Sequence, residues 1–249
     1  MKKILILLLI TCVSLFAQKI NIAVAANVSY AIDDLIKEFN KTNPNTKVVV
    51  TLGSSGKLTA QIKNGAPFDV FMSANMKYPD ALYKDKIAMI KPIVYAQGSL
   101  AILSYKKRDF NLGINIITDE KIKKIAIANP KTAPYGKATI EALKNANLYE
   151  KVNNKFVYGE SISQTVSYAI TAADLGFIAK SSLYSPKMKM FEKDINWIDV
   201  DSRLYTPINQ GIVILKKAES KSGAKAFYDF ILSAEAKNIF KNFGYLVNE

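Results

Sequence analysis

The sequence predicts an α/β protein of two lobes, with the chain visiting the first lobe, then the second, then the first again. Three observations carry this expectation. Short apolar runs alternate with helix-patterned segments in both halves of the chain, two extended stretches at 93–106 and 210–215 join the halves, and amphipathic helices follow the second stretch.

In chain order, INIAVAA at 20–26 is a short apolar strand, after which Ile32, Leu35, Ile36 and Phe39 recur at helical spacing. TNPN at 42–45 supplies turn chemistry before the β-branched strand KVVVTLG at 47–53. A second helix starts near Gly56, turns Leu58 and Ile62 inward and stops at Asn64-Gly65, residues suited to a helix C-terminus. FDVFMSA at 68–74 is the third strand; strands separated by helices pair in parallel, so this half is a layered α/β unit. IVYAQGSLAILSYK at 93–106 is extended with a break at Gln97-Gly98-Ser99. KIAIANP at 124–130 opens a second series of strand and helix: a helix after Pro134 carrying Ile140 and Leu143, the strand FVYG, a helix from about Ile162, and the strand LGFIAKSS at 175–182. QGIVIL at 210–215 is extended again, and AFYDFILSAEAKNIFKNF closes the chain as helices. Gly98 and Gly211 fall in the two crossings and are the expected hinge points, although glycine inside a strand also marks bulges.

Residues 1–17 read as a secretory leader: Lys2 and Lys3, an apolar run from Ile4 to Phe16, then the small Ala17 at a cleavage position. Acylation at Cys12 is the less favoured reading, because Thr11 before it is atypical and Val13 to Phe16 would stay on the mature chain. The expected organisation is therefore leader 1–17, first lobe 18–98 with 210–249, and second lobe 99–209, in a periplasmic protein. Cys12 is the only cysteine and there is no histidine. Beyond the leader this excludes disulfides, cysteine nucleophiles, histidine bases and zinc or copper sites with His or Cys ligands. Lys and Arg outnumber Asp and Glu by 34 to 21. The lysines are scattered, with no basic run interleaved with aromatics, so the excess reads as solvated surface that raises encounter rates with anions, and nucleic acid is not an expected partner.

Four strand-to-helix junctions share a chemical character: AANVS at 25–29, GSSGK at 53–57, TAPYG at 132–136 and GESIS at 159–163. Each places small, hydroxyl or amide residues where a helix begins, where backbone N–H groups lack intrahelical partners and the helix dipole is positive. In parallel α/β sheets these junctions lie at the carboxyl ends of the strands, where ligands bind. Singly, each is also an ordinary cap, and Ser161 with Gln164 fits a capping box. Four of them divided between two lobes point to a closing anion site built of neutral donors. Such a cage discriminates, because a wrong anion leaves buried donors unpaired.

ANVSYAIDDLIKEF, LGSSGKLTAQIKNGAPFDVFMSAN, NPKTAPYGKATIEAL and ADLGFIA together resemble the periplasmic molybdate-binding proteins of ABC transporters, from about residue 20 to the C-terminus. The resemblance implies the two-lobed class II periplasmic-binding-protein fold, each lobe a mixed β-sheet flanked by helices, with the ligand in the interdomain cleft. It implies molybdate or tungstate as the metal-containing ligand, held by hydrogen bonds, membrane subunits of an ABC importer as partners, no cofactor, no catalytic residue and a monomer. Carried over residue by residue, it assigns ligand contacts to Asn27, where many members have Ser, with an amide that could donate through side chain as well as backbone. It assigns them also to Ser55, to Tyr135, where many have Ala, to Ile162 through its backbone N–H, and to Ala26 as a further backbone donor. Members with Ala after the proline carry a tyrosine at the position of Ala179, so the hydroxyl here comes from a different junction.

Two other readings are weaker. The same clamp could hold another oxyanion, such as sulfate. Ser54-Ser55-Gly56-Lys57 contains the S-x-x-K pattern of penicillin-recognising serine hydrolases, with Ser54 as nucleophile, but no S-D-N follows and Lys131-Thr132 precedes Ala rather than Gly. Lys57 is expected to project into solvent. Asp69 and Asp174, each just before an apolar strand, are expected to make turn or cap hydrogen bonds rather than to act as catalytic carboxylates.

Overall fold

The computed structural model describes residues 18–247. The leader expected over 1–17 lies outside them. The described residues form two five-stranded mixed sheets with their helices. The first takes β1 (Gln18–Ala25), β2 (Thr46–Gly53), β3 (Val70–Ser73), β4 (Ile93–Gly98) and β10 (Ile208–Ile214), in the order β2-β1-β3-β10-β4. The second takes β5 (Leu100–Leu103), β6 (Ile125–Ala128), β7 (Phe156–Gly159), β8 (Leu175–Ala179) and β9 (Trp197–Asp199), in the order β7-β6-β8-β5-β9. β1, β2 and β3 pair in parallel, as the intervening helices require, whereas β10 enters antiparallel between β3 and β4. This two-lobed arrangement matches the expected fold class.

Helices cover both faces of each sheet. In the first lobe these are α1 (Ile32–Thr42), α2 (Ser55–Lys63), α3 (Lys77–Lys84), α7 (Ser222–Ile231) and α8 (Ala234–Asn242). Alternation along β1 explains the layering: Ile20, Ile22 and Val24 join Leu35, Phe39, Phe227 and Phe240 on one face, while Ala23 joins Leu58, Phe71 and Val213 on the other. The second lobe repeats this with α4 (Pro134–Asn145), α5 (Tyr149–Val152) and α6 (Ile162–Thr171). There Ile125 and Ile127 face one core and Ala126 the other. The two strand-leading aspartates were expected to make turn or cap hydrogen bonds; their carboxylates instead tie their strands to backbone N–H groups about 50 residues away. Asp69 accepts the N–H of Asn21 at 2.7 Å and pairs with Lys221 at 2.8 Å, and Asp174 accepts the N–H groups of Lys123 and Lys124, each at 2.9 Å.

The expected hinge at Gly211 is corrected. Gly211 sits inside β10 at a register shift next to Gln210, and a Cβ there would lie 2.7 Å from Met76 Sδ and 2.8 Å from Pro79 Cγ. It is a bulge packed on α3 and cannot also be the free crossing, which runs through Tyr205–Pro207 just before β10. Gly98 does lie at a crossing, since β4 ends there and β5 begins at Leu100.

Candidate functional site

The four junctions are built by the local chemistry that the sequence suggested. After β1 the chain enters a short 3-10 turn, Ala26–Tyr30, with Ala26 and Asn27 buried. After β2, Ser54 takes the extended N-cap conformation and α2 begins at Ser55. Ser54 does not cap: its side chain accepts no helix N–H. Ala133 precedes α4, with Pro134 at its first position and Tyr135 next. Ser161 caps α6, accepting the Gln164 N–H at 3.3 Å, while Gln164 Oε1 accepts the Glu160 N–H at 2.7 Å. Ile162 is therefore the first residue of α6, and its backbone N–H is among those with no partner inside the helix.

These junctions meet where the lobes touch. The Gly56 N–H donates to the Thr132 carbonyl at 2.9 Å, which links the start of α2 to the loop before α4. Lys57 forms an ion pair with Glu160 across the same seam, so it does not simply project into solvent as expected. Tyr78 Oη reaches the Lys131 carbonyl at 3.5 Å. Ser181, from the second lobe, donates to the Asn27 carbonyl at 3.2 Å. Ala26, Tyr135 and Ile162 belong to one buried cluster with Ala74, whose N–H donates to Ser55 Oγ at 3.0 Å. The structure thus brings Ala26, Asn27, Ser55, Tyr135 and Ile162 to one interface.

Hydrogen bonds dictate which way the polar groups face. Ser55 Oγ receives the Ala74 N–H, so its single hydroxyl proton is free to donate elsewhere. Asn27 differs from its expected role: its Nδ2 donates to Gln210 Oε1 at 2.8 Å and to Tyr245 Oη at 3.0 Å, which commits both amide protons inside the protein. The donor that Asn27 can offer a ligand is then its backbone N–H, at the start of the 3-10 turn. Asn27 Oδ1, Ser54 Oγ and Thr132 Oγ1 are buried with no hydrogen-bond partner among the described residues. An unpaired buried polar group costs about 1–3 kcal/mol; Asn27 Oδ1 can only accept, whereas the two hydroxyls can serve a guest that accepts. Ser54 and Thr132 stand on opposite sides of the Gly56–Thr132 contact and can both donate.

The phenols here are neutral donors. Burial pushes the Tyr135 hydroxyl well above the ordinary tyrosine range, reinforced by Tyr245, Tyr95 and Tyr205 nearby and opposed by the hydrogen bond from Gln210. Burial likewise pushes Tyr245 up to about 12, against hydrogen bonds with Ser181 and Asn27. The sequence reading missed Tyr245, Tyr95, Gln210 and Ser181. Gln210 carried a signal, since it opens the apolar run QGIVIL and has to be satisfied once buried; Tyr245 carried none. The S-x-x-K reading also loses its geometry, because Lys57 pairs with Glu160 and Ser54 Oγ bonds to nothing among the described residues.

The sequence model of the bacterial extracellular solute-binding protein family matches residues 20–246. The molybdate-binding protein ModA of Azotobacter vinelandii is 35% identical over 92% of this chain and 90% of its own length. That of Rhodobacter capsulatus is 36% identical over 90% of this chain and 86% of its own. The solved structure of the Azotobacter vinelandii periplasmic molybdate-binding protein superposes with a TM-score of 0.84 at 32% identity, covering 92% of this chain and 100% of that one. These relatives are solute-binding proteins and not enzymes, as expected for this chain. The chain belongs to the bacterial extracellular solute-binding protein family.

Proposed function

We propose that this protein binds molybdate, and tungstate with it, between its two lobes outside the cytoplasm, and delivers the ion as a monomer to the membrane subunits of an ABC importer. The observation that carries the reading is the convergence of four helix starts on one seam, with neutral donors at Asn27, Ser55, Tyr135 and Ile162. Backbone N–H groups at helix starts favour anions without formal positive charge. Ser55 Oγ already accepts the Ala74 N–H and keeps its proton to donate, which suits an oxyanion that only accepts. The named relatives support molybdate as that oxyanion. The ligand contacts are assigned to Ala26, Asn27 and Ile162 through backbone N–H groups and to Ser55 and Tyr135 through hydroxyls, and the reading extends to Ser54 and Thr132, whose buried hydroxyls have no partner among the described residues. The hinge is assigned to the crossings at Gly98-Ser99 and Tyr205–Pro207, between a first lobe of 18–98 with 208–249 and a second of 99–207, two residues from the expected boundary because β10 begins at Ile208.

Titration calorimetry with molybdate, tungstate, sulfate and phosphate tests this. Heat and thermal stabilisation are expected with the first two and not with the others. Binding of sulfate or phosphate with no response to either metal oxyanion overturns the assignment.

A further inference from the structure

We infer that Gln210 is a positioning residue that turns the Tyr135 hydroxyl proton away from itself and toward the bound oxyanion. The inference rests on the reading of Tyr135 as a ligand contact and explains how the fold enforces that role.

The polarity can be followed from a group that cannot reverse. The Asn27 backbone carbonyl only accepts, and Tyr245 Oη donates to it at 2.8 Å. With its one proton spent, Tyr245 can only accept from the Asn27 side chain, so the atom 3.0 Å away must be Nδ2. The same Nδ2 then donates to Gln210 at 2.8 Å, which makes the receiving atom the amide oxygen. Tyr95 Oη donates to that oxygen as well, at 2.8 Å, filling both its lone pairs. The Gln210 amide is therefore fixed end for end, and its Nε2 faces Tyr135 Oη at 3.4 Å. A phenol that receives an N–H must aim its own proton away from it.

Every member of this chain is buried: Asn27, Tyr95, Tyr135, Gln210 and Tyr245. Buried groups of this kind keep their order of donors by the cost of leaving any one unpaired. The arrangement also spans the lobes, since Gln210 lies on β10 and Tyr135 on α4. The contact between the lobes is what places the amide beside the phenol. An amide at 210 thus sets the donor polarity of a hydroxyl 75 residues away in sequence.

A double-mutant cycle tests this, with molybdate affinity measured by calorimetry for the wild type, Gln210→Met, Tyr135→Phe and the double variant. Gln210→Met removes the Nε2 donor at similar volume and is expected to weaken molybdate binding roughly tenfold or more in the wild type, and less than about twofold in the Tyr135→Phe background. A residue that merely supports the structure would cost the same in both backgrounds, and equal losses overturn the inference. Unchanged affinity in Tyr135→Phe alone sinks the reading of Tyr135 as a ligand contact, and this inference with it. Weakened binding in Tyr135→Phe combined with an additive Gln210 effect sinks this inference only. Should the methionine variant fail to fold, the wild-type protein decides by proton NMR. A nuclear Overhauser contact between the Gln210 side-chain amide protons and the Tyr135 ring, with a hydroxyl resonance that moves downfield on adding molybdate, is expected. The lack of either overturns the proposal.

Discussion

Replacing Gly98 by alanine strikes the ligand seam through a single methyl group. A Cβ at position 98 would lie 2.0 Å from Tyr135 Oη, 3.0 Å from Tyr135 Cζ and 2.7 Å from Gln210 Nε2. The phenol oxygen must retreat by roughly 1.5 Å to reach an ordinary van der Waals separation. Its backbone cannot follow, because Gly136 next to it is pressed against the end of β6, where a Cβ would lie only 2.0 Å from the Ala128 carbonyl oxygen. The ring must therefore swing off its rotamer inside a packed cluster, an overpacking cost of about 1–3 kcal/mol in the unliganded protein. A displacement of this size also removes one hydrogen bond to a charged ligand, worth about 1.5–3 kcal/mol, or roughly 10- to 150-fold in molybdate affinity. Urea unfolding and calorimetry read the two effects separately. Tyr135→Phe deletes the atom in closest conflict, so Gly98→Ala combined with Tyr135→Phe should unfold at higher urea than Gly98→Ala alone. Gly98→Ala binding molybdate with wild-type affinity would refute the placement of the Tyr135 hydroxyl in the site.

Two further expectations concern charge. The Lys57–Glu160 pair crosses the seam with side chains 48% and 59% exposed, so it is worth about 0.2–1 kcal/mol to the closed form. Glu160→Gln should weaken molybdate binding less than about fivefold, and the deficit should shrink at high salt; a deficit independent of salt would show that the pair does not act through its charges. Tyr245, raised by burial from 10.0 to about 12, stays protonated in the folded state across a range where the unfolded chain has lost that proton. Stability is intact below pH 10 and falls as pH rises toward about 12, by up to about 1.4 kcal/mol per pH unit for this group. A urea midpoint that stays flat across that window would remove the case for a buried, neutral Tyr245.

Much of this architecture is legible in local sequence because local rules create it. Ile20, Ile22 and Val24 alternate with period two, Asn64-Gly65 ends a helix with Gly65 at φ 90°, and Ser161-Gln164 caps one. The junction residues were legible for the same reason, since a helix start announces itself by its cap. What stayed hidden depends on partners distant in the chain. Nothing near Gly211 reveals that β10 inserts antiparallel between β3 and β4, so a bulge packed on Met76 and Pro79 looked like a hinge. Nothing near Lys57 reveals Glu160. The side-chain amide of Asn27 was expected to face the ligand, because its true partners, Gln210 and Tyr245, lie 183 and 218 residues away.

That last separation has a kinetic meaning. The two bonds that pin Asn27 to Tyr245 span 218 residues, so the loop that opens the ligand seam is secured by one of the most distant pairings the fold contains. Closing so long a loop costs only about 0.6 kcal/mol more for each doubling of its length, so a contact this distant is supported by the sheets that bring its ends together. The first junction can fold its short turn early, but its amide acquires a fixed orientation only when α8 has docked and delivered Tyr245. A folding intermediate with both sheets assembled and that segment still loose would hold the right residues in the right neighbourhood and yet have no defined donor order. The donor order at the seam is thus set by the far end of the chain as much as by the junction that faces the ligand.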